Sequence, residues 1–253
     1  MYGIEIEVEN LPNAPEYPLY VVTEDGSLRN NGKEYVSGIL TYKQAVTTFA
    51  DLTDTLISNG ADFNERCGVH IHVDFREKSR EDIASFLTKY LAIERTLSAI
   101  CGISRANSNF CLPLLEADGN KIYYKQYLFE GKTSGVLARC TKYSALNLAP
   151  LTTQGSIEFR MLPSDGKVER FNAVIDMLNT IAYGNLSLQE VVEKYSIPHR
   201  DMLEAIAFME SLKSDTSNKS RSKELPFMEQ HFGYKKQTYG LTAEQVAKYL
   251  ETI

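Results

Sequence analysis

The sequence has no CxxC pair. Its four cysteines, Cys67, Cys101, Cys111 and Cys140, are too scattered for a disulfide framework or a cysteine-ligated zinc module; free thiols in a reducing cytoplasm are expected. Histidine is scarce too: of four, His199 and His231 lie in the C-terminal part, so carboxylates must supply most ligands of any metal site. No apolar run approaches the ~20 residues of a membrane-spanning helix, and the N-terminus runs directly into a strand pattern, so no signal peptide is expected. GxxxxGK[ST], GxGxxG and GxSxG are all missing, so a P-loop, a Rossmann nucleotide site and a hydrolase elbow are not indicated. The net charge of −6 argues against non-specific binding to nucleic acid.

The 253 residues, 43% hydrophobic, suffice for one large domain or a domain with a small appendage. Three stretches carry the chemistry. In Gly68-Val69-His70-Ile71-His72-Val73-Asp74 the side chains of a strand alternate, so His70, His72 and Asp74 share one face and Val69, Ile71 and Val73 the other. Gly3-Ile4-Glu5-Ile6-Glu7-Val8-Glu9 likewise opposes three carboxylates to Ile4, Ile6 and Val8. Ser156-Ile157-Glu158-Phe159-Arg160-Met161 sets Glu158 and Arg160 against Ile157, Phe159 and Met161. Together they predict an α+β fold, a sheet with helices on its apolar face and a charged floor on the other.

Further strands are expected at Leu19 to Thr23, Lys33 to Ser37 (with Glu34 toward the floor) and Tyr143 to Leu148, the last a hairpin partner of Gly155 to Leu162. Capping boxes at Thr41 and Ser187 and a start near Ser79 open helices, those from Thr41 and Ser79 ending at Gly60 and Gly102. Another helix covers Val168 to Tyr183, and helical patterns fill Val191 to Leu212. The stretch from Ser104 to Arg139 has no clear pattern beyond partly buried Tyr123, Tyr124, Tyr127 and Phe129 and a loop at Gly131 to Gly135; a polar link follows Ser214, and Thr242 caps a last short helix. Residues 1–185 are expected to form the catalytic domain and 186–253 a helical extension: a lid, an oligomer contact or a specificity element.

Glu5 and Glu7 are spaced to share divalent cations, and such oxygen donors favour Mg²⁺ or Mn²⁺. A solvated edge strand would look the same, and HxH alone also suits zinc. Arg160 beside Glu158 suits a carboxylate or phosphate, or a structural ion pair; Arg139, Lys142 and Arg105 lie in loops that could reach the same pocket. Cys67 adjoins the histidine strand but reads as core.

In order, GIEIE, Gly32-Lys33-Glu34, GVHIHVD, Lys142-Tyr143 through Asn147, and SIEFR resemble the amidoligase family of the carboxylate–amine ligase superfamily, which shares its fold with glutamine synthetase and glutamate–cysteine ligase. The resemblance spans roughly residues 2–183. It implies a curved antiparallel sheet, a half barrel, holding ATP and two or three divalent ions. By position, Glu5, Glu7, Glu34, His70 and Glu158 would bind Mg²⁺ or Mn²⁺. His72, Arg160 and Lys142 would meet the nucleotide phosphates, and Arg160, Arg139 and Asn147 would act on the reacting groups. The implied reaction joins small-molecule or peptide carboxylates to amines through an acyl phosphate. A phosphotransferase to a guanidino nitrogen, a metal-dependent hydrolase and a binding module that lost its reaction remain open alternatives. The family is frequent in phage genomes and bacterial gene clusters, which implies a cytoplasmic protein, in the host if phage-encoded. The substrates and the oligomeric state stay open.

Overall fold

Alternation of apolar and charged residues builds one sheet. The computed structural model describes residues 1–102, 105, 108 and 110–214. Within them, β1 (Tyr2–Val8), β2 (Tyr20–Thr23), β3 (Lys33–Ser37), β4 (Gly68–Asp74), β5 (Leu146–Asn147) and β6 (Ser156–Pro163) form a six-stranded open sheet in the order β2-β3-β1-β4-β6-β5. All of its pairings are antiparallel. Ile4, Ile6, Val69, Ile71, Val73, Ile157 and Phe159 are buried to 1% exposure or less. Each such side chain contributes about 1.5–3 kcal/mol by leaving water.

Three helices cover that apolar face: α1 (Tyr42–Ser58), α2 (Arg80–Cys101) and α4 (Val168–Tyr183). Thr41 and Ser79 close full capping boxes on α1 and α2, satisfying the N-terminal N–H groups. Phe49 of α1 stacks on Phe171 of α4 with ring centroids 3.8 Å apart, and Tyr90 of α2 meets Phe159 edge-on. Helices α3 (Lys121–Leu128), α5 (Leu188–Lys194) and α6 (His199–Ser214) pack around α2. Their apolar residues, among them Tyr124, Leu188 and Met202, join the same core. Arg95 ties α2 to α6 by pairing with Asp201 and Glu204.

One expectation is corrected. The strand expected at Tyr143 to Leu148 shrinks to Leu146–Asn147. Ser144 bridges Leu112 instead, the Ala145 N–H donates to the Leu112 carbonyl at 2.7 Å, and a 3-10 turn at Ala149–Thr152 with Pro150 ends the pairing. The pattern over Val191 to Leu212 splits into α5 and α6, because Ser196 takes a positive φ of 51° and Pro198 follows it. Within the segment that lacked a pattern, α3 is flanked by 3-10 turns at Asp118–Asn120 and Ser134–Arg139. The polar link after Ser214 and the helix expected after Thr242 lie outside the described residues. Among the described residues no helix is long and apolar enough to cross a membrane. All four cysteines are free and buried.

Candidate functional site

Strand register decides which side chains meet on the other face. Glu7 of β1 lies opposite Glu34 of β3, and Glu5 lies opposite His70 of β4. His72 lies opposite Glu158 of β6, which lies opposite Asn147 of β5. Residues up to 153 positions apart, Glu5 and Glu158, thus share one polar grid.

Glu5 sits between the two imidazoles. Its Oε2 is 2.9 Å from His70 Nδ1 and its Oε1 is 3.2 Å from His72 Nε2. Burial alone would raise this carboxyl, but the hydrogen bonds from His70 and His72 and their charge outweigh it and hold it well below the usual range. For His72 the signs reverse: burial lowers it, and the hydrogen bond and charge of Glu5, with the charge of Glu158, raise it further. The other His72 nitrogen, Nδ1, is 3.0 Å from Ser156 Oγ, which fixes the ring. His70 also lies 3.6 Å from Glu158 Oε1 and 3.9 Å from Glu7 Oε1.

Glu7 Oε2 accepts the Gly68 N–H at 2.6 Å. A Cβ at Gly68 would stand 3.0 Å from Arg105 Nη2, 3.1 Å from His70 Nε2 and 3.3 Å from Glu7 Oε2, so glycine lets these three groups close on one another. Between Val69 and Ile71 the β4–β6 register shifts by a bulge. The Arg160 carbonyl beside it accepts from Arg105 Nη2 at 2.7 Å, and the Met161 carbonyl from Nε at 3.4 Å.

Arg160, two residues beyond Glu158 on β6, shares its face. Its Nη1 pairs with Glu158 Oε1, while Asn147 Nδ2 donates to Glu158 Oε2 at 2.7 Å. Arg160 Nε is buried without a hydrogen-bond partner among the described residues. A guanidinium nitrogen left so is costly in a closed site and natural beside a ligand oxygen.

Glu34 joins by its Oε2, 3.1 Å from the Thr23 hydroxyl. Burial raises its carboxyl, and the charges of Glu5 and Glu7 add to the rise. Asp25, not among the candidates drawn from the sequence, belongs to the site as well. Burial would raise it, but the Ser27 hydrogen bonds and then the charges of Lys142 and His70 bring it below its ordinary value. The signal for Asp25 was present in the i, i+2 series Val21, Thr23, Asp25, as was that for Ser156 two residues before Glu158.

Three sets of ligand atoms lie within 4.8 Å of one another: Glu5, Glu34 and His70; Glu5, His72 and Glu158; Glu7, Asp25 and Glu34. Other candidates are engaged elsewhere. Glu9 is held by Arg66, Asn64 and the Arg29 N–H, and Asp74 is clasped by Arg76 at 2.6 and 2.9 Å. Lys142 is exposed at the rim, over the Tyr143 ring and within reach of Asp25. Arg139 is exposed at the end of its 3-10 turn, and no contact among the described residues ties it to the grid. Cys67 is buried and its thiol is pushed up to about 11 by burial, which suits a core residue and not a nucleophile.

A family model described as "putative amidoligase enzyme" matches residues 22–181. That span begins within β2 and holds β3 to β6, while β1 with Glu5 and Glu7 precedes it. No curated protein matches the chain.

Proposed function

Because the chain belongs to the amidoligase family, we propose that it is an ATP-dependent ligase that joins a carboxylate to an amine through an acyl phosphate. The observation that carries this reading is the Arg160 guanidinium, fixed by Glu158 yet with a buried Nε still free to donate. Beside it stands a grid of carboxylates and imidazoles that suits cations binding polyphosphate.

The donor set fits Mg²⁺ or Mn²⁺: carboxylate oxygens outnumber imidazole nitrogens in each of the three sets, and no cysteine takes part. Glu5, Glu7, Glu34, His70 and Glu158, with Asp25, would hold the ions. Bound there, the metal would neutralise the phosphate charge of ATP.

The chain's own groups do the rest. Arg160 binds the oxygens on which charge develops as the γ-phosphoryl passes from ATP to a carboxylate oxygen and ADP leaves. His72, its ring held by Ser156, and Lys142 at the rim face the phosphates. Asn147 is a positioning residue that keeps Glu158 turned toward Arg160. The amine then attacks the acyl carbon and phosphate departs.

Hydroxylamine in place of the amine tests this, since it converts an acyl phosphate into a hydroxamate. Hydroxamate should form only with ATP, Mg²⁺ and a carboxylate partner, and Glu158→Ala should abolish it. Arg160→Ala should lower the rate more than ATP affinity. Phosphate transferred to nitrogen without hydroxamate would make the protein a phosphotransferase, and turnover without ATP would make it a hydrolase.

A further inference from the structure

Arg105 is the one buried arginine among the described residues, at 6% exposure. Arg66, Arg76, Arg95, Arg160 and Arg170, all more exposed, each pair with a carboxylate. Arg105 pairs with none among the described residues: its Nε and Nη2 donate only to the Met161 and Arg160 carbonyls. The residues around it in sequence, 103–109, include no acid. Enclosing a guanidinium against neutral acceptors leaves its charge uncompensated, which is costly until an anion completes the arrangement.

Its position says where that anion lies. Gly68, His70 and His72 alternate onto the polar face of β4. A Cβ on Gly68 would stand 3.0 Å from Arg105 Nη2 and 3.1 Å from His70 Nε2, so the guanidinium lies over the grid at that edge of the His70 ring. At the other edge, Nδ1 is 3.6 Å from Glu158 Oε1, the partner of Arg160. Two guanidinium groups therefore stand at opposite nitrogens of one imidazole. Glu7, whose Oε2 would be 3.3 Å from the same Cβ, accepts the Gly68 N–H and belongs to the ligand set with Asp25 and Glu34. A cation in that set would commit Glu7 and add its own charge to that of Arg105, so this end of the grid would call for negative charge. A phosphoryl group has three outer oxygens and can meet a cation, Arg105 and Arg160 at once, whereas a carboxylate has two.

We propose that Arg105 binds an oxygen of the terminal phosphoryl group of ATP, opposite Arg160. The assignment deepens the ligase reading and rests on it. Arg160 acts on the charge that develops during transfer. Arg105, tied to the β6 carbonyls before any ligand arrives, holds the same group in the ground state, and its bond to the Arg160 carbonyl fixes one arginine relative to the other.

Three variants test it. Arg105→Gln keeps an N–H for the Arg160 carbonyl and loses the charge; Arg105→Lys keeps the charge and loses the fork. Cys111→Ala removes the 3.0 Å bond from Cys111 Sγ to the Arg105 carbonyl, loosening the segment without touching the guanidinium. ATP and ADP, each with Mg²⁺, are titrated calorimetrically onto the wild type and the variants, and the wild type is assayed for hydroxamate. Arg105→Gln should weaken ATP by about tenfold or more and ADP by less than about threefold, because ADP lacks the terminal group. Arg105→Lys should weaken ATP relative to ADP by about threefold, and it decides the matter should Arg105→Gln not fold. Cys111→Ala should leave both affinities within about twofold. An unchanged ratio of ATP to ADP affinity in the arginine variants, a loss in Cys111→Ala as large as in Arg105→Gln, or no ATP binding to the wild type would each overturn the assignment. Absence of hydroxamate with the ratio still set by Arg105 would remove the ligase reading alone, and hydroxamate with an unchanged ratio would remove the Arg105 assignment alone.

Discussion

Glu94 of α2 offers a measurement that needs no ligand. It is 4% exposed and accepts the Leu114 N–H at 2.7 Å. It thereby pins to the helix the segment whose Arg105 covers the β6 bulge. Burial pushes its carboxyl up to about 7, the Leu114 N–H pulling the other way and the charge of Glu116 adding to the rise. Below the ordinary value of 4.5 both folded and unfolded chains are protonated at this position, and nothing is lost. Between 4.5 and about 7 the unfolded chain sheds a proton that the folded chain keeps, so stability falls as pH rises. Above about 7 both are ionised and the loss is constant. At about 1.4 kcal/mol per pH unit, the gap between 4.5 and about 7 amounts to about 3 kcal/mol. Glu94→Gln keeps an oxygen for the Leu114 N–H and has no proton to lose. The unfolding free energy of the variant minus that of the wild type, from urea titrations at a series of pH values, should climb by about 3 kcal/mol across the window and then level off. The subtraction cancels every other titrating group. A difference that stays flat with pH would refute the reasoning.

Three further outcomes follow from contacts in and around the grid. Gly68→Ala should weaken Mn²⁺ binding by about tenfold with little change in thermal midpoint, because its Cβ would press on Arg105, His70 and Glu7 together; unchanged affinity by calorimetry would count against three groups closing on one site. Asn147→Leu, which strips the 2.7 Å donor from Glu158 Oε2, should cost about 1–3 kcal/mol in urea unfolding, and no loss would mean that Glu158 finds another donor. Glu9 is held down to about 2, first by its hydrogen bond with Arg66. Its stabilisation is complete above its unfolded value of 4.5 and lost as pH falls through about 2, so Arg66→Ala should move acid unfolding to higher pH; an unmoved acid midpoint would sink this account.

The parts of the fold legible in the sequence are those that repeat a short-range rule. Alternation over Ile4 to Val8, Val69 to Val73 and Ile157 to Phe159 fixes strand faces, and Thr41, Ser79 and Ser187 cap helices through contacts three residues away. Period-two reading therefore also gathers Glu5, Glu7, Glu34, His70, His72 and Glu158 on one face. It fails where partners are remote. Nothing local says that the Ala145 N–H turns to the Leu112 carbonyl while its own carbonyl stays with Arg160 of β6, or that Arg105 will reach the Arg160 and Met161 carbonyls. Asp25 was missed because a carboxylate before Gly26 suits a turn as well as it suits a site.

The register between β1 and β3 shows where the grid lacks positive charge. Glu5 has two imidazoles, Glu158 has Arg160 and Asn147, and Asp25 has the Ser27 hydrogen bonds and the charge of Lys142. Glu34 has the Thr23 hydroxyl and the charge of His70, which it shares with Glu5, while burial and the neighbouring Glu5 and Glu7 push its carboxyl up on balance. Pairing Glu7 with Glu34 across two strands is repulsive unless something positive lies between them. Glu34 is also the residue shared by the Glu5–His70 and Glu7–Asp25 ligand sets. The least compensated carboxylate of the grid therefore stands where one added cation would relieve the most repulsion. A shift of one residue between β1 and β3 would send Glu34 to the apolar face and dissolve both sets at once.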